Sequence, residues 1–173
     1  MAATSLADFI RAIPDYPQPG VTFRDITPLL GSGPALAEAT RSLTERFADV
    51  GVDRVIGIEA RGFILGAPVA VALGAGFVPV RKAGKLPWAV VREEYELEYG
   101  TDKLEIHRDA IHPGERILVV DDVLATGGTA AATCRLAATL GAEIVGLAVL
   151  LELTGLGGRA RLGDRRVESL LRY

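Results

Sequence analysis

The chain has 173 residues, 49% of them hydrophobic, which is enough to bury one substantial core but short for two independent domains. Its 19 basic and 22 acidic residues give a net charge of −3, so attraction to nucleic acid or anionic membranes through overall charge is excluded. A single cysteine, no apolar run near the ~20 residues that span a bilayer and no signal-like start predict a cytoplasmic protein without disulfides that binds neither nucleic acid nor membrane.

The first 33 residues predict a short helix followed by a turning segment. Ser5 has the character of a helix N-cap, and apolar residues from Leu6 to Ile13 recur at helical spacing. The prolines and the glycine of PDYPQPG then force an extended, turning chain. We expect the next stretch, VTFRDITPLL, to contribute to function.

Two strand-helix-strand units follow. A helix over 34–49 leads into the first unit, with a strand over 52–60, a helix over 62–73 and a strand over 77–80. The second unit spans 116–151, with its helix at about 128–140. Together they predict an α/β fold: a doubly wound, mainly parallel central sheet flanked by helices, which binds ligands beyond the carboxyl ends of its strands.

The segment 81–107 has a different pattern. It opens with the cationic loop RKAGKLP and continues with REEYELEYGTDKLEI, which alternates like a half-exposed hairpin that turns near Gly100. Glu94, Glu96 and Glu98 fall on one face of that hairpin. Two readings remain open on the pattern alone, a mobile flap over a site and a solvated hairpin.

The stretch VVDDVLATGGTA, residues 119–130, places two acids and a glycine-rich turn between a buried strand and a helix. Successive backbone N–H groups at the start of a helix form a phosphate site. The residues that offer them are Ala125, Thr126, Gly127, Gly128 and Thr129. Asp121 and Asp122 accept hydrogen bonds only, so they suit sugar hydroxyls or hydrated Mg²⁺ rather than the phosphate itself.

Ribose 5-phosphate combines the two groups that this stretch is suited to bind. The patterns of the common nucleotide hydrolases and dinucleotide-binding proteins, GxxxxGK[ST] and GxGxxG, are absent from the sequence. The alternative interpretation is structural: two solvent-exposed acids at a strand end, and glycines that serve a tight turn.

VVDDVLATGGTA resembles the phosphoribosyl-pyrophosphate signature of type I phosphoribosyltransferases. PGVTFRDITPLL, IEARGFILGAPVA, RKAGKLP, LEYGTDKLEIHRDA and LLELTGLGGR extend the resemblance, over nearly the whole chain, to the adenine-specific branch of that family. The resemblance implies a single domain over 1–173, with an adenine-binding hood within 1–33 and a flexible catalytic flap at 81–107. It also implies synthesis of AMP and pyrophosphate from adenine and phosphoribosyl pyrophosphate.

The resemblance assigns roles to individual residues. Residues 125–129 would bind the 5′-phosphate, Asp121 and Asp122 the ribose hydroxyls, and Arg61, Arg81 and Lys85 the pyrophosphate. Adenine would lie between Phe23 and Val123, with its polar edge bound by the backbone of Thr22 and Arg24. Glu98 would orient adenine near N7 and manage its proton, so Glu98, Arg61 and Lys85 are the expected catalytic residues.

The resemblance further implies Mg²⁺, bound mainly by the substrate, and a homodimer in which Arg81 reaches the neighbouring subunit's pyrophosphate. We expect no direct protein metal site, because the sequence contains no cluster of metal ligands. Two alternatives stay open: transfer to another base, such as hypoxanthine, xanthine or orotate, and a sensor of phosphoribosyl pyrophosphate that regulates transcription. The sensor would need a DNA-binding module, for which the chain offers no basic helix.

Overall fold

The computed structural model describes residues 5–96 and 100–173, which form nine strands and five α-helices. The strands are β1 (Arg11–Ile13), β2 (Phe23–Asp25), β3 (Arg54–Ile58), β4 (Gly76–Lys82), β5 (Val90–Glu96), β6 (Thr101–His107), β7 (Arg116–Leu124), β8 (Glu143–Glu152) and β9 (Val167–Arg172). The helices are α1 (Thr27–Leu30), α2 (Gly33–Glu45), α3 (Arg61–Leu73), α4 (Gly128–Thr139) and α5 (Gly158–Arg161). Two short 3₁₀ helices cover Leu6–Phe9 and Thr154–Leu156.

Seven strands form one sheet in the order β5-β6-β4-β3-β7-β8-β9. The five strands from β4 to β9 in that order are mutually parallel, whereas β5 and β6 add an antiparallel hairpin at one edge. Both β3–α3–β4 and β7–α4–β8 join neighbouring parallel strands through a helix. This confirms the predicted doubly wound, mainly parallel central sheet flanked by helices.

Each face of the sheet carries its own hydrophobic core. On one face α2 and α3 contribute Leu43, Leu65 and Val69, all fully buried against the sheet. On the other face the alanine-rich α4 buries its side chains, including Cys134. Small side chains let α4 pack close to the strands, so the cysteine serves here as a small core residue.

The predicted N-terminal helix is wrong in length and type. Ser5 caps it as expected, and the Ser5 backbone N–H donates a hydrogen bond to the Asp8 carboxylate, but the helix is 3₁₀ and ends at Phe9. The chain then enters β1, which pairs antiparallel with β2. Proline disfavours helix at the residue before it, here Ile13, and the pairing of Arg11–Ile13 with β2 keeps the preceding residues extended as well.

The predicted hairpin in 81–107 is present. β5 and β6 pair antiparallel along their length, and β6 joins the main sheet through β4. Glu94 and Glu96 are exposed on one face of β5 while Tyr95 is buried on the other, as the alternation predicted. Glu98 lies outside the described residues. Among the described residues, every helix is too short or too polar to cross a membrane.

Candidate functional site

The site forms where β3 and β7 end side by side. These strands are parallel neighbours, with Gly57 opposite Val120, so the residues that follow β3 meet the last residues of β7 at one edge of the sheet. A cavity of about 370 Å³ opens there, lined among others by Arg61, the two acids Asp121 and Asp122, and Thr129. Doubly wound sheets bind their ligands at this kind of position. The sequence predicted the site here.

Asp121 and Asp122 differ in their surroundings. Asp122 accepts a hydrogen bond from Nε of Arg61, 61 residues away in the chain, and is buried. Burial and the neighbouring charge of Asp122 raise the pKa of Asp121 well above its usual range. Arg61 acts in the opposite direction on the same carboxyl, so the guanidinium limits the repulsion between the two acids.

A glycine allows the helix that carries Arg61 to approach these acids. A Cβ atom at Gly62 would lie 2.9 Å from Oδ1 of Asp121 and 3.0 Å from the carbonyl oxygen of Val120. Only a residue without a side chain fits at this distance, so the start of α3 lies directly against β7. The sequence ARGF therefore places the arginine beside the acid pair.

Residues 125–129, hereafter the phosphate loop, connect β7 to α4. Gly127 has φ +80°, a left-handed conformation that favours glycine, and α4 begins at Gly128. The loop encloses a small cavity of about 80 Å³, which shares Asp121 and Thr129 with the larger cavity. Free N–H groups at the start of a twelve-residue helix favour an anion in the small cavity, next to carboxylates that favour hydroxyls in the large one.

Glu59 lines the larger cavity and binds three basic residues, of which Lys82 lines the cavity as well. Its carboxylate accepts hydrogen bonds from Nε of Arg81 at 3.0 Å, Nζ of Lys85 at 2.5 Å and the backbone N–H of Lys82 at 3.1 Å. Burial alone would raise the pKa of Glu59, but these three donors outweigh it and lower the pKa. The structure thus brings Arg81 and Lys85 together through a residue that sequence reasoning missed. An acid directly after a buried strand, as in IEARGF, was the available signal.

The N-terminal segment reaches the site through Phe23. The guanidinium carbon of Arg61 lies 5.9 Å from the centre of the Phe23 ring, and Tyr16 packs on that ring edge-on at 5.4 Å. Arg24 turns its side chain to Tyr173 instead, 4.2 Å from the ring centre. Thr22 is exposed, and Val123 lines the small cavity at the phosphate loop.

Residues of the hairpin line the larger cavity. The Thr129 hydroxyl lies 3.4 Å from the hydroxyl of Tyr95, which in turn lies 3.5 Å from Asp102. Lys82 forms an ion pair with Asp102 at 3.1 Å. Burial raises the pKa of Tyr95, so its hydroxyl stays protonated. Tyr95 and Asp102 are site residues that the sequence reasoning did not single out, and Glu98 follows Tyr95 by three positions, outside the described residues.

The chain is similar to proteins of known family and structure. A sequence profile of the phosphoribosyl transferase domain matches residues 29–168. An adenine phosphoribosyltransferase of Acaryochloris marina is 56% identical over 168 residues, covering 97% of this chain and 99% of its own length. The crystal structure of the Rhodothermus marinus adenine phosphoribosyltransferase is 54% identical, covers 97% of this chain and 96% of its own, and superposes with a TM-score of 0.92.

A third relative was solved with ligands. The Saccharomyces cerevisiae adenine phosphoribosyltransferase, 40% identical with a TM-score of 0.90, covers 96% of this chain and 96% of its own. That protein is complexed with D-2,5-dideoxy-2,5-imino-altritol 1,6-bisphosphate and adenine.

Proposed function

The chain belongs to the phosphoribosyl transferase family, and we propose that its reaction is the transfer of the 5-phosphoribosyl group from phosphoribosyl pyrophosphate to N9 of adenine, which gives AMP and pyrophosphate. One observation supports the sugar-phosphate half of this proposal above all. The phosphate loop and the acid pair enclose two adjoining cavities that share Asp121 and Thr129. The choice of adenine rests on relatives that are named for this base and match nearly the whole chain.

Phosphoribosyl pyrophosphate would bind across both cavities. Its 5′-phosphate would accept hydrogen bonds from the backbone N–H groups of the phosphate loop, and its ribose hydroxyls would donate to Asp121 and Asp122. The pyrophosphate would lie near Arg61 and the Lys85 side chain held by Glu59, and in the homodimer Arg81 would reach the pyrophosphate of the neighbouring subunit. Guanidinium and ammonium groups at that position offset the charge of the tetra-anion, although the protein as a whole is slightly acidic.

Adenine would lie against Phe23, whose ring already contacts Arg61. The backbone of Thr22 and Arg24 would bind the polar edge of the base, and Val123 would pack on its other face. The Arg24 side chain rests on Tyr173, which is compatible with a role for its backbone alone. Glu98 would orient the base near N7 and manage its proton, as the family resemblance implies.

The chemical step replaces the bond between C1′ and the pyrophosphate oxygen by a bond between C1′ and N9, and the imidazole proton that adenine loses would pass to Glu98 near N7. Positive charge develops on the sugar as pyrophosphate leaves, and Arg61, Arg81 and Lys85 stabilise the negative charge on the leaving group. The hairpin 81–107 would exclude water, which would otherwise hydrolyse the activated sugar. This is the catalytic role that we propose for the flap.

The residues of the cavity are compatible with Mg²⁺ that binds together with phosphoribosyl pyrophosphate. Carboxylate oxygens, the ligands that Mg²⁺ prefers, line the cavity at Asp121 and Asp122. However, Asp122 is already paired with Arg61, and residues 5–96 and 100–173 contain no cluster of three or more candidate metal ligands. We therefore propose that the ion arrives on the pyrophosphate oxygens, where it would neutralise part of the leaving group's charge.

We also propose that the enzyme is a cytoplasmic homodimer whose interface includes the outer face of α2 and α3. Among the described residues, these helices present an apolar groove of about 530 Å³, lined in part by Leu36, Pro68 and Ala72. Val71 and Ile64, also on α3, are 81% and 44% exposed. Exposed apolar surface of this kind indicates a protein contact. Light scattering of Val71→Glu would then report monomers, whereas an unchanged mass would exclude this face.

Product formation from several bases tests the proposed function. Adenine, hypoxanthine, xanthine and orotate would each be supplied with phosphoribosyl pyrophosphate and Mg²⁺, and the nucleotide products separated by chromatography. We expect AMP to form fastest, because a buried base edge with mismatched donors and acceptors costs about 1–3 kcal/mol. Faster conversion of hypoxanthine would refute the choice of adenine, and binding of phosphoribosyl pyrophosphate without turnover of any base would favour a sensor.

A further inference from the structure

Gly158, the first residue of α5, lies directly against the phosphate loop from behind. A Cβ atom at Gly158 would fall 2.2 Å from the carbonyl oxygen of Ala125 and 3.0 Å from the backbone nitrogen of Gly127. Conversely, a Cβ atom at Gly127 would fall 2.5 Å from the carbonyl oxygen of Gly158. Both glycines are buried, so the two backbones touch with no side chain between them.

The residue after Gly158 fixes this contact to the sheet. Arg159 donates from Nε and Nη2 to both carboxylate oxygens of Glu152, at 2.9 and 2.6 Å, and from Nη1 to the carbonyl of Val167 at 2.8 Å. Glu152 is 5% exposed. Hydrogen bonds from Arg159 and Ser169 lower the pKa of Glu152 to about 2, so the pair remains ionised at any working pH. Bidentate pairs of this kind fix geometry as well as charge.

Glu152 ends β8 and lies opposite Leu124, the last residue of β7 before the phosphate loop. The backbone N–H of Leu153 also donates to the carbonyl of Leu124, at 2.9 Å. The two chain segments that leave β7 and β8 are therefore held together at their start by the hydrogen bonds of the sheet. Farther along, the backbones of Gly127 and Gly158 are in contact. Between these points the loop has only short side chains of its own at Ala125 and Thr126 to hold it.

We propose that Gly158 and the Arg159–Glu152 pair position the phosphate loop, so that its amides are already aimed when the 5′-phosphate arrives. This inference rests on the proposed function and adds residues that contact no substrate. Preorganised donors bind an anion more tightly, because the loop loses less freedom on binding. Gly158 is thus a positioning residue for the loop that binds the 5′-phosphate of phosphoribosyl pyrophosphate.

Gly158→Ala tests the proposal, with Gly155→Ala as its matched control, since a Cβ atom at Gly155 meets nothing within 4 Å and its φ suits alanine. We expect Gly158→Ala to raise the KM for phosphoribosyl pyrophosphate roughly tenfold or more, because two weakened loop hydrogen bonds at about fivefold each reach that factor. The KM for adenine should stay within about twofold of the wild type. Gly155→Ala should change neither.

A second pair of variants changes the Arg159–Glu152 pair without adding an atom next to the phosphate loop. Arg159→Ala should shift the KM for phosphoribosyl pyrophosphate in the same direction, and Arg159→Lys, which keeps the charge but not the bidentate contact, should restore part of it. These variants decide the question if Gly158→Ala does not fold. Equal changes in both KM values, or none, would overturn the proposal.

Calorimetric titration with phosphoribosyl pyrophosphate separates this inference from the proposed function. If the wild type binds this compound but makes no AMP, the choice of adenine fails while the effect of Gly158→Ala on the dissociation constant still decides the positioning role. If the wild type makes AMP and Gly158→Ala binds as tightly, the positioning role alone is overturned. A wild type that binds none of the compound would overturn both.

Discussion

Replacing Arg61 by alanine would leave Asp122 without its cation, next to a second acid. Coulomb's law gives about 4 kcal/mol for a charge pair 4 Å apart near a protein surface and about 1 kcal/mol in water. The Arg61 side chain is 47% exposed, whereas that of Asp122 is 10% exposed, so the pair lies between these limits. After a discount for solvent screening, we expect a coupling free energy of about 1–2 kcal/mol between the two side chains.

Urea denaturation of the wild type, Arg61→Ala, Asp122→Asn and the double variant measures that coupling as a double-mutant cycle. Asn keeps the shape of the aspartate and removes only its charge, which makes it the matched replacement. Arg61→Ala should be the least stable of the single variants, and much of its loss should disappear in the double variant. Additive losses within about 0.3 kcal/mol would refute the ion pair as a stabilising contact.

The pH dependence of the Arg61→Ala variant gives a second check. Arg61 lowers the pKa of Asp121, so its removal should raise that pKa further. A carboxyl whose folded-state pKa is raised destabilises the fold above that pKa, and protonation relieves the cost as the pH falls through it. The stability deficit of the variant should therefore be largest near neutral pH and shrink on acidification. A deficit that grows as the pH falls would contradict this account.

Three further predictions concern other parts of the chain. Gly127→Ala should destabilise the protein more than Gly51→Ala in thermal unfolding, because both have positive φ but only Gly127 has a backbone oxygen 2.5 Å from the added atom; equal losses would refute the close contact. Between pH 5 and pH 2 the wild type should lose up to about 3 kcal/mol of its free energy of unfolding, since the depressed pKa of Glu152 stabilises the fold only while the carboxyl is ionised, and Glu152→Gln should not show this loss. Acid unfolding curves that run parallel for the two proteins would argue against it. Glu98→Ala should lower kcat roughly 10²–10⁴-fold if Glu98 is the acid–base group, with Glu98→Asp as control; an unchanged rate would remove it from the mechanism.

The sequence predicted best those features that are formed by residues close together in the chain. The acid pair near the end of β7 and the phosphate loop after it fall within nine consecutive positions, so strand, turn and helix start could be inferred together from the sequence alone. The parallel sheet was predictable for a similar reason, because each strand-helix-strand unit is continuous in sequence. Where the local pattern misled, at the first helix, the chain pairs Arg11–Ile13 with β2, a contact with a later segment that helical spacing does not reveal.

Contacts between distant segments could not be predicted in this way. Glu59 binds Lys85, 26 positions away, and Arg61 binds Asp122, 61 positions away. These contacts form because β3 lies between β4 and β7 in the sheet. Likewise, nothing in the letters of LLELTGLGGR places Gly158 behind Gly127; the packing of α5 does so.

The sequence by itself determined which chemical groups the protein offers to a sugar phosphate, since turn conformation and helix ends depend on adjacent residues. The tertiary structure decided which carboxylate balances which cation, and how closely two backbones approach behind the phosphate loop. Charge pairing and close packing act through space over a few ångströms, and only the folded chain sets those distances.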